Sequence, residues 1–255
     1  MKKTGFSLLL LFLISSSFAQ SIDSIFNSVK YRNIGPFRGG RSVAASGVVG
    51  DPMTYYMGNT GGGLWKTEDG GQLWKNISDG YFKTSSIGAV AVSESDPNII
   101  YVGMGEHAPR AVMTSYGDGV YKSTDAGKTW KNIGLKNTQH ISRVVIHPKN
   151  PNIVFVAAQG ALYGPNKERG IYKSVDGGVT WNKILYVNNL TGCSELSMDY
   201  NNPLVMYAAM WEHQRLPWKV ISGGPGSGLY KTTDGGVTWN QIHNGLPKEK
   251  GKMAI

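Results

Sequence analysis

Short apolar runs separated by turn residues recur along the chain from Ser42 onward. One run is Ile-Gly-Ala-Val-Ala-Val at 87–92, and a proline turn and a second apolar run at 99–104 follow it. Runs of this length, bounded by turn residues, predict β-strands. A loop of variable length and two further short strand-like segments come after each pair of runs. The pattern therefore predicts four-stranded units repeated in series.

An eight-residue segment recurs in the second half of each unit. Its pattern is Ser/Thr-x-Asp-x-Gly-x-Thr-Trp, and four copies occur, with Leu73 replacing the threonine in the first. Strand-like residues flank each copy, so we expect a hairpin whose turn lies inside the segment. The aspartate would accept turn N–H groups, the glycine would adopt positive φ, and the tryptophan would pack on apolar neighbours. The residues given this structural role are Asp69, Asp125, Asp176, Asp234, Trp74, Trp130, Trp181 and Trp239.

The spacing of the repeated segment predicts the architecture. Successive aspartates are 51 to 58 residues apart, which fits a four-stranded β-propeller blade with its loops. A run at 252–255 has no partner strands in this sequence, so we expect the N-terminal part of a longer protein that completes the propeller. The expected divisions are a lead-in at 20–41, a propeller at 42–255 with blades at about 42–77, 83–133, 141–184 and 194–242, and the start of another blade at 252–255.

The repeated segment resembles the Asp-box of sialidases, family-74 glycoside hydrolases and sortilin-type propellers, over nearly all of the chain after residue 30. This resemblance implies an architecture and not an activity, because the group includes enzymes and receptors. Family-74 enzymes imply a catalytic aspartate before a Gly-Gly pair in the first blade, where this chain has Thr60. The second catalytic aspartate of those enzymes would lie beyond this chain. Arg32-Asn33-Ile34-Gly35-Pro36 also departs from the Arg-Ile-Pro motif of sialidases.

The connections within a blade separate into two faces. The proline turns and Asp-boxes fall on one, the box face, and the variable loops fall on the other, the loop face, where function usually lies. Two Glu-His pairs follow second strands on the loop face, and Glu106 and Glu212 are candidates for the acid and base of glycoside hydrolysis. Exposed aromatic rings beside them suit sugar binding. The candidate ligand-binding residues are His107, Arg110, Tyr116, Asp118, Trp211, His213, Arg215 and Trp218.

Simpler explanations of the same residues stay open. The two Glu-His pairs could reflect blade duplication and satisfy loop backbone groups. Their spacing matches no metal-ligand pattern, and we expect neither a metal nor another cofactor. The segment at 31–41, which contains Arg32, Arg38 and Arg41, is either a turn-rich approach to the first blade or an anion site.

The first 19 residues have the pattern of a signal peptide. Lys2 and Lys3 precede an apolar run at 5–14, and Ala19 ends a small-x-Ala cleavage site. The run is too short to cross a bilayer as a helix, so we expect no transmembrane segment after cleavage. These features predict a bacterial protein that is periplasmic, on the outer surface or secreted.

Charge and cysteine content narrow the choice of partner. The formal charge is +9, and loss of the two lysines of the signal peptide lowers it to +7. The basic residues are scattered, so we expect no nucleic-acid partner, and attraction to acidic polysaccharides or cell surfaces is an open alternative. Cys193 is the single cysteine, and we expect a small buried hydrophobe.

The sequence thus predicts an exported all-β propeller with a glycosyl-hydrolase-like function. It would bind or hydrolyse glycans on the loop face. The first alternative is a non-catalytic, sortilin-like propeller that binds peptides or cell-surface proteins. The second is a purely structural scaffold.

Overall fold

Four antiparallel sheets follow one another along the chain, and in each of them four strands pair in the order in which they occur, while the fourth sheet has one additional strand off this path. The computed structural model describes residues 40–107 and 114–255. The predicted signal peptide, the lead-in as far as residue 39, and Arg110 lie outside the described residues. Strands that follow one another in the chain usually pair in antiparallel sheets, and this accounts for the simple order.

The strands of the first sheet are β1 (Ser42–Val48), β2 (Asp51–Asn59), β3 (Gly63–Thr67) and β4 (Lys75–Asn76). Those of the second are β5 (Ile87–Val92), β6 (Ile100–Met104), β7 (Val120–Ser123) and β8 (Lys131–Asn132). Those of the third are β9 (Ile141–His147), β10 (Asn150–Ala158), β11 (Gly170–Ser174) and β12 (Asn182–Leu185). Those of the fourth are β13 (Thr191–Met198), β14 (Met206–Arg215), β15 (Val220–Ser222), β16 (Gly228–Thr232) and β17 (Asn240–Ile242).

The sheets pack face to face, and this explains the continuous apolar runs of the sequence. In β6, Val102 lies in the core between the first and second sheets, whereas Tyr101 lies in the core between the second and third. Successive strand residues point to opposite faces, so a sheet covered on both sides needs apolar residues at every position. Phe155 of β10 likewise faces the fourth sheet, while Val154 and Val156 face the second.

The first strands of the four sheets lie side by side, β1 beside β5, β5 beside β9, and β9 beside β13. They line an open cavity of about 380 Å³. An ion pair between Arg143 and Glu195 connects β9 to β13 along this cavity. A propeller of four-stranded blades with Asp-box hairpins, as the sequence predicts, is therefore confirmed.

Each Asp-box is a closed network of hydrogen bonds at the hairpin turn. In the second box, the Asp125 carboxylate accepts from the Thr129 amide at 2.9 Å, the Thr129 hydroxyl at 2.6 Å and the Ser123 hydroxyl at 2.7 Å. These donors favour the ionised form and lower the pKa of Asp125 to about 2. The Gly177 amide of the third box donates to Asn152 in the preceding turn at 2.9 Å, so both turns share the box face.

The tryptophan of the second and third boxes also joins its sheet to the preceding one, whereas the Trp239 indole nitrogen of the fourth box has no hydrogen-bond partner among the described residues. The indole nitrogen of Trp130 donates to the Ile77 carbonyl, and that of Trp181 donates to the Ile133 carbonyl, both at 2.9 Å. Lys122 extends from the preceding sheet and donates to the Gly177 carbonyl of the next box at 3.0 Å. Its ammonium also lies 5.1 Å from the ring centroid of Tyr101. We call this set of contacts the box joint.

The segment after Trp211 differs from the long loop that the sequence predicts. β14 continues through Arg215, and β15 pairs back onto it with Val220 opposite Arg215. The reason is that Trp211 and His213 both point inward and are buried, so strand alternation persists to this point. Trp211 and Arg215 therefore lie on a rigid strand.

The structure also bears on smaller predictions. Cys193 is fully buried, as expected. Residues 252–255 belong to no strand, and a further blade there stays a prediction, as do the domain boundaries. Within the part of the chain that the structure describes, no helix is long and apolar enough to cross a membrane.

The box joint yields a matched pair of variants. Trp181→Phe removes an indole hydrogen bond between two sheets, and we expect the free energy of unfolding to fall by about 1 kcal/mol. Trp74 is half-buried like Trp181, but its indole nitrogen donates at 3.0 Å to Gly71 of its own box. Trp74→Phe should therefore cost less. Urea unfolding of both variants measures the difference in the free energy of unfolding. An equal loss in the two variants would contradict a stabilising role of the Trp181 hydrogen bond in the box joint.

Candidate functional site

The loop face brings the ends of the second strands close to the starts of the first strands. Met104 of β6 and Met210 of β14 occupy equivalent places, because each pairs with a glycine that begins or precedes the third strand, Gly119 or Gly228. Glu106 and Glu212 therefore occur at equivalent positions in the second and fourth sheets. The third sheet lies between the strands that carry these two carboxylates.

Glu106 lies at a junction of three sheets. Its side chain is 3 % exposed and forms an ion pair with Arg41, which immediately precedes β1. The ring nitrogen Nδ1 of His140, just before β9, lies 2.9 Å from the Glu106 carbonyl, to which it can donate. Arg41 is the one arginine of the Arg-rich segment that lies among the described residues, and it binds a carboxylate of the protein itself.

Glu212 has different hydrogen-bond partners from those of Glu106. Its Oε2 atom accepts from the Gly226 amide at 2.8 Å, and its own amide donates to the Ser227 hydroxyl at 3.0 Å. A side chain at Gly224 would collide with this carboxylate, because a Cβ atom there would be 2.5 Å from the Glu212 Cδ atom. The two candidate catalytic carboxylates thus have unlike partners, an arginine for Glu106 and a backbone amide for Glu212.

Three buried or half-buried histidines lie on the same face: His107, His140 and His213. Burial lowers the pKa of each to about 4. Nearby positive charges add to this effect, Lys252 for His107 and Arg169 for the other two. All three imidazoles are therefore neutral at pH 7, and the positive charge of this region belongs to arginine and lysine.

Arg169 is fully buried and organises the loop after β10. Its guanidinium donates to four carbonyls: Ala161 at 2.5 Å, Gly164 at 3.4 Å, Leu190 at 2.8 Å and His213 at 3.0 Å. Burial lowers its pKa to about 10, and the nearby Glu212 opposes this shift. The side chain stays charged at neutral pH and fixes the loop of the third sheet against β14 of the fourth.

A cleft of about 510 Å³ opens between this loop and the β14–β15 hairpin. Trp218 and Tyr163 face it and are 75 % and 59 % exposed. The Arg215 amide donates to the Leu162 carbonyl at 2.8 Å, which holds the two walls together. We call this site the aromatic cleft. Its lining residues are Tyr163, Arg215, Leu216, Pro217, Trp218, Lys219 and Val220.

The structure brings only some of the predicted ligand-binding residues together in one site. The exposure predicted for Trp211 is wrong: its ring is 4 % exposed and packs 4.1 Å from the His213 ring, because β14 turns it inward. Tyr116 is exposed but does not line the aromatic cleft. The Asp118 carboxylate accepts from the Tyr121 hydroxyl at 2.8 Å. Arg215 and Trp218 do meet in one cleft, whereas Arg110 lies outside the described residues.

Sequence reasoning missed Tyr163, His140 and Arg169. Tyr163 could have been found as a loop aromatic that the repeat does not explain. Nothing in the sequence distinguishes Arg169 from an exposed arginine at the start of a strand. Across residues 40–107 and 114–255, no group of three or more His, Cys, Asp or Glu side chains could hold a metal ion.

The stacked four-stranded sheets and their box joints define an Asp-box β-propeller. The family model of Sortilin-Vps10, described as sortilin, neurotensin receptor 3, matches residues 62–215. That match covers more than half of the sequence, and the chain belongs to this family.

The chain is also similar to glycoside hydrolases. Xyloglucanase Xgh74A of Acetivibrio thermocellus is 24 % identical over 224 residues, which is 76 % of this chain and 26 % of that protein. A xyloglucanase of Paenibacillus sp is 22 % identical, over 83 % of this chain and 22 % of its own length. The chain spans about a quarter of the length of these curated relatives.

Two solved structures share the fold. An ancestral GH74 enzyme superposes with a TM-score of 0.61 at 22 % identity, over 83 % of this chain and 26 % of that one. The GH74 xyloglucanase of Xanthomonas campestris gives a TM-score of 0.59 at 17 % identity, over 86 % of this chain and 32 % of that one. The chain is therefore related to both sortilin-like and GH74-like propellers.

The three histidines predict a loss of stability in mild acid. Their folded pKa of about 4 lies below the ordinary 6.5, so the unfolded chain binds more protons between these values. The free energy of unfolding should fall as the pH drops from about 6.5 to about 4, by about 2 kcal/mol per histidine between pH 7 and pH 5. His140→Asn should reduce this loss, and urea unfolding at both pH values measures it. The exposed His243, changed to Asn, is the control, and an unchanged pH dependence in H140N would contradict the assignment.

Proposed function

We propose that this chain is a GH74-like propeller that binds glycans in the aromatic cleft of its loop face. The observation that carries the proposal is the pair of exposed rings, Trp218 and Tyr163, on opposite walls of one cleft. Flat aromatic rings with a polar edge match the apolar face and the hydroxyl groups of a sugar. The names of the related xyloglucanases support the same ligand class.

The walls of the cleft support binding because they are fixed before a ligand arrives. Arg169 binds the carbonyls on both sides of Tyr163, at Ala161 and Gly164. On the opposite wall, Trp218 lies in the tight connection between β14 and β15. A binding site with ordered walls loses less conformational entropy when it is occupied.

Hydrolysis is the second part of the proposal, with Glu106 and Glu212 as the acid and base. In this proposal Glu106, which pairs with Arg41, is the base, and Glu212 is the acid. Thr60 cannot supply the carboxylate that family-74 enzymes imply in the first blade. Catalysis by this chain would therefore depend on the two glutamates of the loop face.

Export by the signal peptide at 1–19 belongs to the same proposal. An exported bacterial protein would meet polysaccharides outside the cytoplasm. The proposed location is therefore consistent with the proposed glycan ligand. A cell-surface protein is the other class of partner. The remaining blades of a longer chain would complete the propeller.

The alternative function is peptide or protein binding by a sortilin-like propeller without catalysis. The observation in its favour is the Sortilin-Vps10 match, which extends through Arg215 on one wall of the cleft. It predicts a protein ligand and no turnover of any glycoside.

Binding to soluble xyloglucan and other polysaccharides, measured by affinity gel electrophoresis, tests the site. Trp218→Ala and Tyr163→Ala should each weaken binding by about tenfold, because a stacked aromatic ring contributes on the order of 1 kcal/mol or more. Tyr200, an exposed tyrosine in the connection between β13 and β14 on the box face, is the control. Retention of full affinity in both cleft variants would reject the site.

Turnover is measured in the same samples with reducing-sugar release as the readout. Glu106→Gln and Glu212→Gln should abolish it without weakening binding if the glutamates are catalytic. Binding without turnover in the unaltered protein would leave a carbohydrate-binding propeller. Absence of binding to every glycan would favour the sortilin-like alternative.

A further inference from the structure

We propose that Asn244 is a site of spontaneous covalent modification, at which deamidation produces aspartate and isoaspartate at the loop-face end of the fourth sheet. The inference does not depend on the proposed function. It rests on one exposed turn, and on the hydrogen bonds that hold other pairs of the same chemical kind elsewhere in the structure.

The reaction needs only the chain and water. The backbone nitrogen of Gly245 loses its proton and attacks the side-chain carbonyl carbon of Asn244, so a C–N bond forms and closes a succinimide ring. The Cγ–Nδ2 bond breaks, and the amide nitrogen leaves with a proton as ammonia. Water then opens the ring at either of its carbonyls, which gives aspartate or isoaspartate. In isoaspartate the main chain continues through the side-chain carbon, and the product carries a carboxylate in either case.

The turn after β17 leaves both reacting groups accessible. Asn244 and Gly245 are exposed, and within the described residues no hydrogen bond engages the Asn244 side chain or the Gly245 amide. Gly245 has φ 78°, which suits the third residue of a type II turn, and no atom lies within 4 Å of the position that a Cβ would take. The attacking nitrogen therefore has room to move toward the side-chain carbonyl.

Ring closure of this kind is easiest before glycine, because glycine has no side chain beside the attacking nitrogen. Asn244-Gly245 is the single Asn-Gly pair of the sequence, whereas Asp-Gly occurs five times. Aspartate can form the same ring with loss of water, but a carboxylate is a poorer electrophile than an amide. The Asp-Gly pairs occur at 69–70, 79–80, 118–119, 176–177 and 234–235.

The Asp-box prevents this reaction at its own Asp-Gly pair. In the third box the Gly177 amide donates to the Asn152 carbonyl at 2.9 Å, so the attacking nitrogen is engaged. The Asp176 carboxylate accepts from the Thr180 hydroxyl at 2.5 Å, the Thr180 amide at 2.9 Å and the Ser174 hydroxyl at 2.7 Å. These bonds lower the pKa of Asp176 and keep its carboxylate ionised. The first and fourth boxes have the same hydrogen bond from the glycine amide, at 2.9 and 3.0 Å.

The two Asp-Gly pairs outside the boxes differ from each other. The Asp118 carboxylate accepts from the Tyr121 hydroxyl at 2.8 Å, and a Cβ at Gly119 would be 2.0 Å from a backbone oxygen, so this pair is tightly packed. Asp79 and Gly80 are exposed, and no atom lies within 4 Å of a Cβ position at Gly80. The 79–80 pair is thus as open as the Asn-Gly pair but has no amide to lose, and it serves as an internal control.

The modification would change the loop face. Ile242, the last residue of β17, pairs with Leu229 near the start of β16, and Asn244 follows in the connection. This connection leads to residues 248–251, which line a cavity of about 590 Å³ together with residues 222–225. Deamidation adds a negative charge to the connection, and isoaspartate also lengthens its backbone. The charge and shape of this part of the loop face would therefore change as the protein ages.

Incubation of the full chain at pH 7 and at pH 8, followed by tryptic digestion and mass spectrometry, tests the site. Residues 232–248 form one tryptic peptide, which contains both the fourth box and Asn244. We expect a mass increase of about 1 Da at Asn244, in two products that chromatography separates. The rate should rise by about tenfold between the two pH values, because the attacking amide must first lose its proton.

Two variants and an unfolded sample separate the effect of the turn from that of the sequence. Asn244→Gln should show no mass increase at this position, because the longer side chain closes a larger ring far more slowly. Gly245→Ala should slow the reaction by about tenfold, because the added Cβ hinders the attack. In guanidinium chloride, isomerisation of Asp234 should accelerate by at least about tenfold, whereas the rate at Asn244 should change by less than about threefold. Asp79 should isomerise slowly in both samples.

Deamidation of Asn244 in the folded protein, with Asp234 intact, would support the proposal. An Asn244 side chain that stays intact in the folded protein but reacts in the unfolded chain would overturn it, because the turn would then be protective. Isomerisation of Asp234 in the folded protein at the rate of Asn244 would overturn the protection assigned to the box. A faster mass increase at another asparagine would show that exposure and a free glycine amide do not select the site.

Discussion

The face-to-face packing of sheets that are apolar on both sides is the constraint on which the described structure depends, and the hydrogen bonds of Trp130 and Trp181 to the preceding sheet reinforce it. A sheet that is apolar on both faces must be covered twice, and the box joint fixes how closely the next sheet approaches. The hydrogen bonds inside the box turn explain why the box aspartates are structural. The Asp125 carboxylate already accepts from the Ser123 hydroxyl and from the amide and hydroxyl of Thr129, so most of its acceptor capacity is used within the turn.

The face-to-face packing of the sheets also decides which features could be predicted from the sequence. The blades were predictable because burial of a sheet on both faces requires apolar residues at every strand position, as in β6. The Asp-box was predictable because the same residue types recur at the same spacing in each copy. The different solvent exposures of Trp211 and Trp218 were not predictable from their spacing in the sequence alone. They are seven residues apart, yet one is buried and the other exposed, because β14 extends through Arg215 and the chain then reverses into β15. The extension of β14 and its reversal into β15 depend on packing against the third sheet.

The candidate site depends on contacts that no local pattern encodes. The equivalence of Glu106 and Glu212 was visible as a repeat, but their partners come from Arg41 and Gly226, which are 65 and 14 residues away in sequence. Arg169 is a comparable case, since it binds carbonyls of two sheets. Residues that repeat therefore make contacts that recur from one blade to another, whereas Arg41 and Arg169, which shape the loop face, have contacts specific to one blade.

The fixed shape of the aromatic cleft has the same origin. Arg169 occupies carbonyls on the wall, including Ala161 and Gly164, and the Arg215 amide occupies the Leu162 carbonyl. The backbone acceptors nearest the cleft are thus used to hold it open in one shape. The exposed rings of Trp218 and Tyr163 are therefore presented by a backbone whose hydrogen bonds are already made within the protein. The contacts that order the cleft belong to the loops of the third and fourth sheets, so a ligand that binds there meets walls that it does not have to arrange.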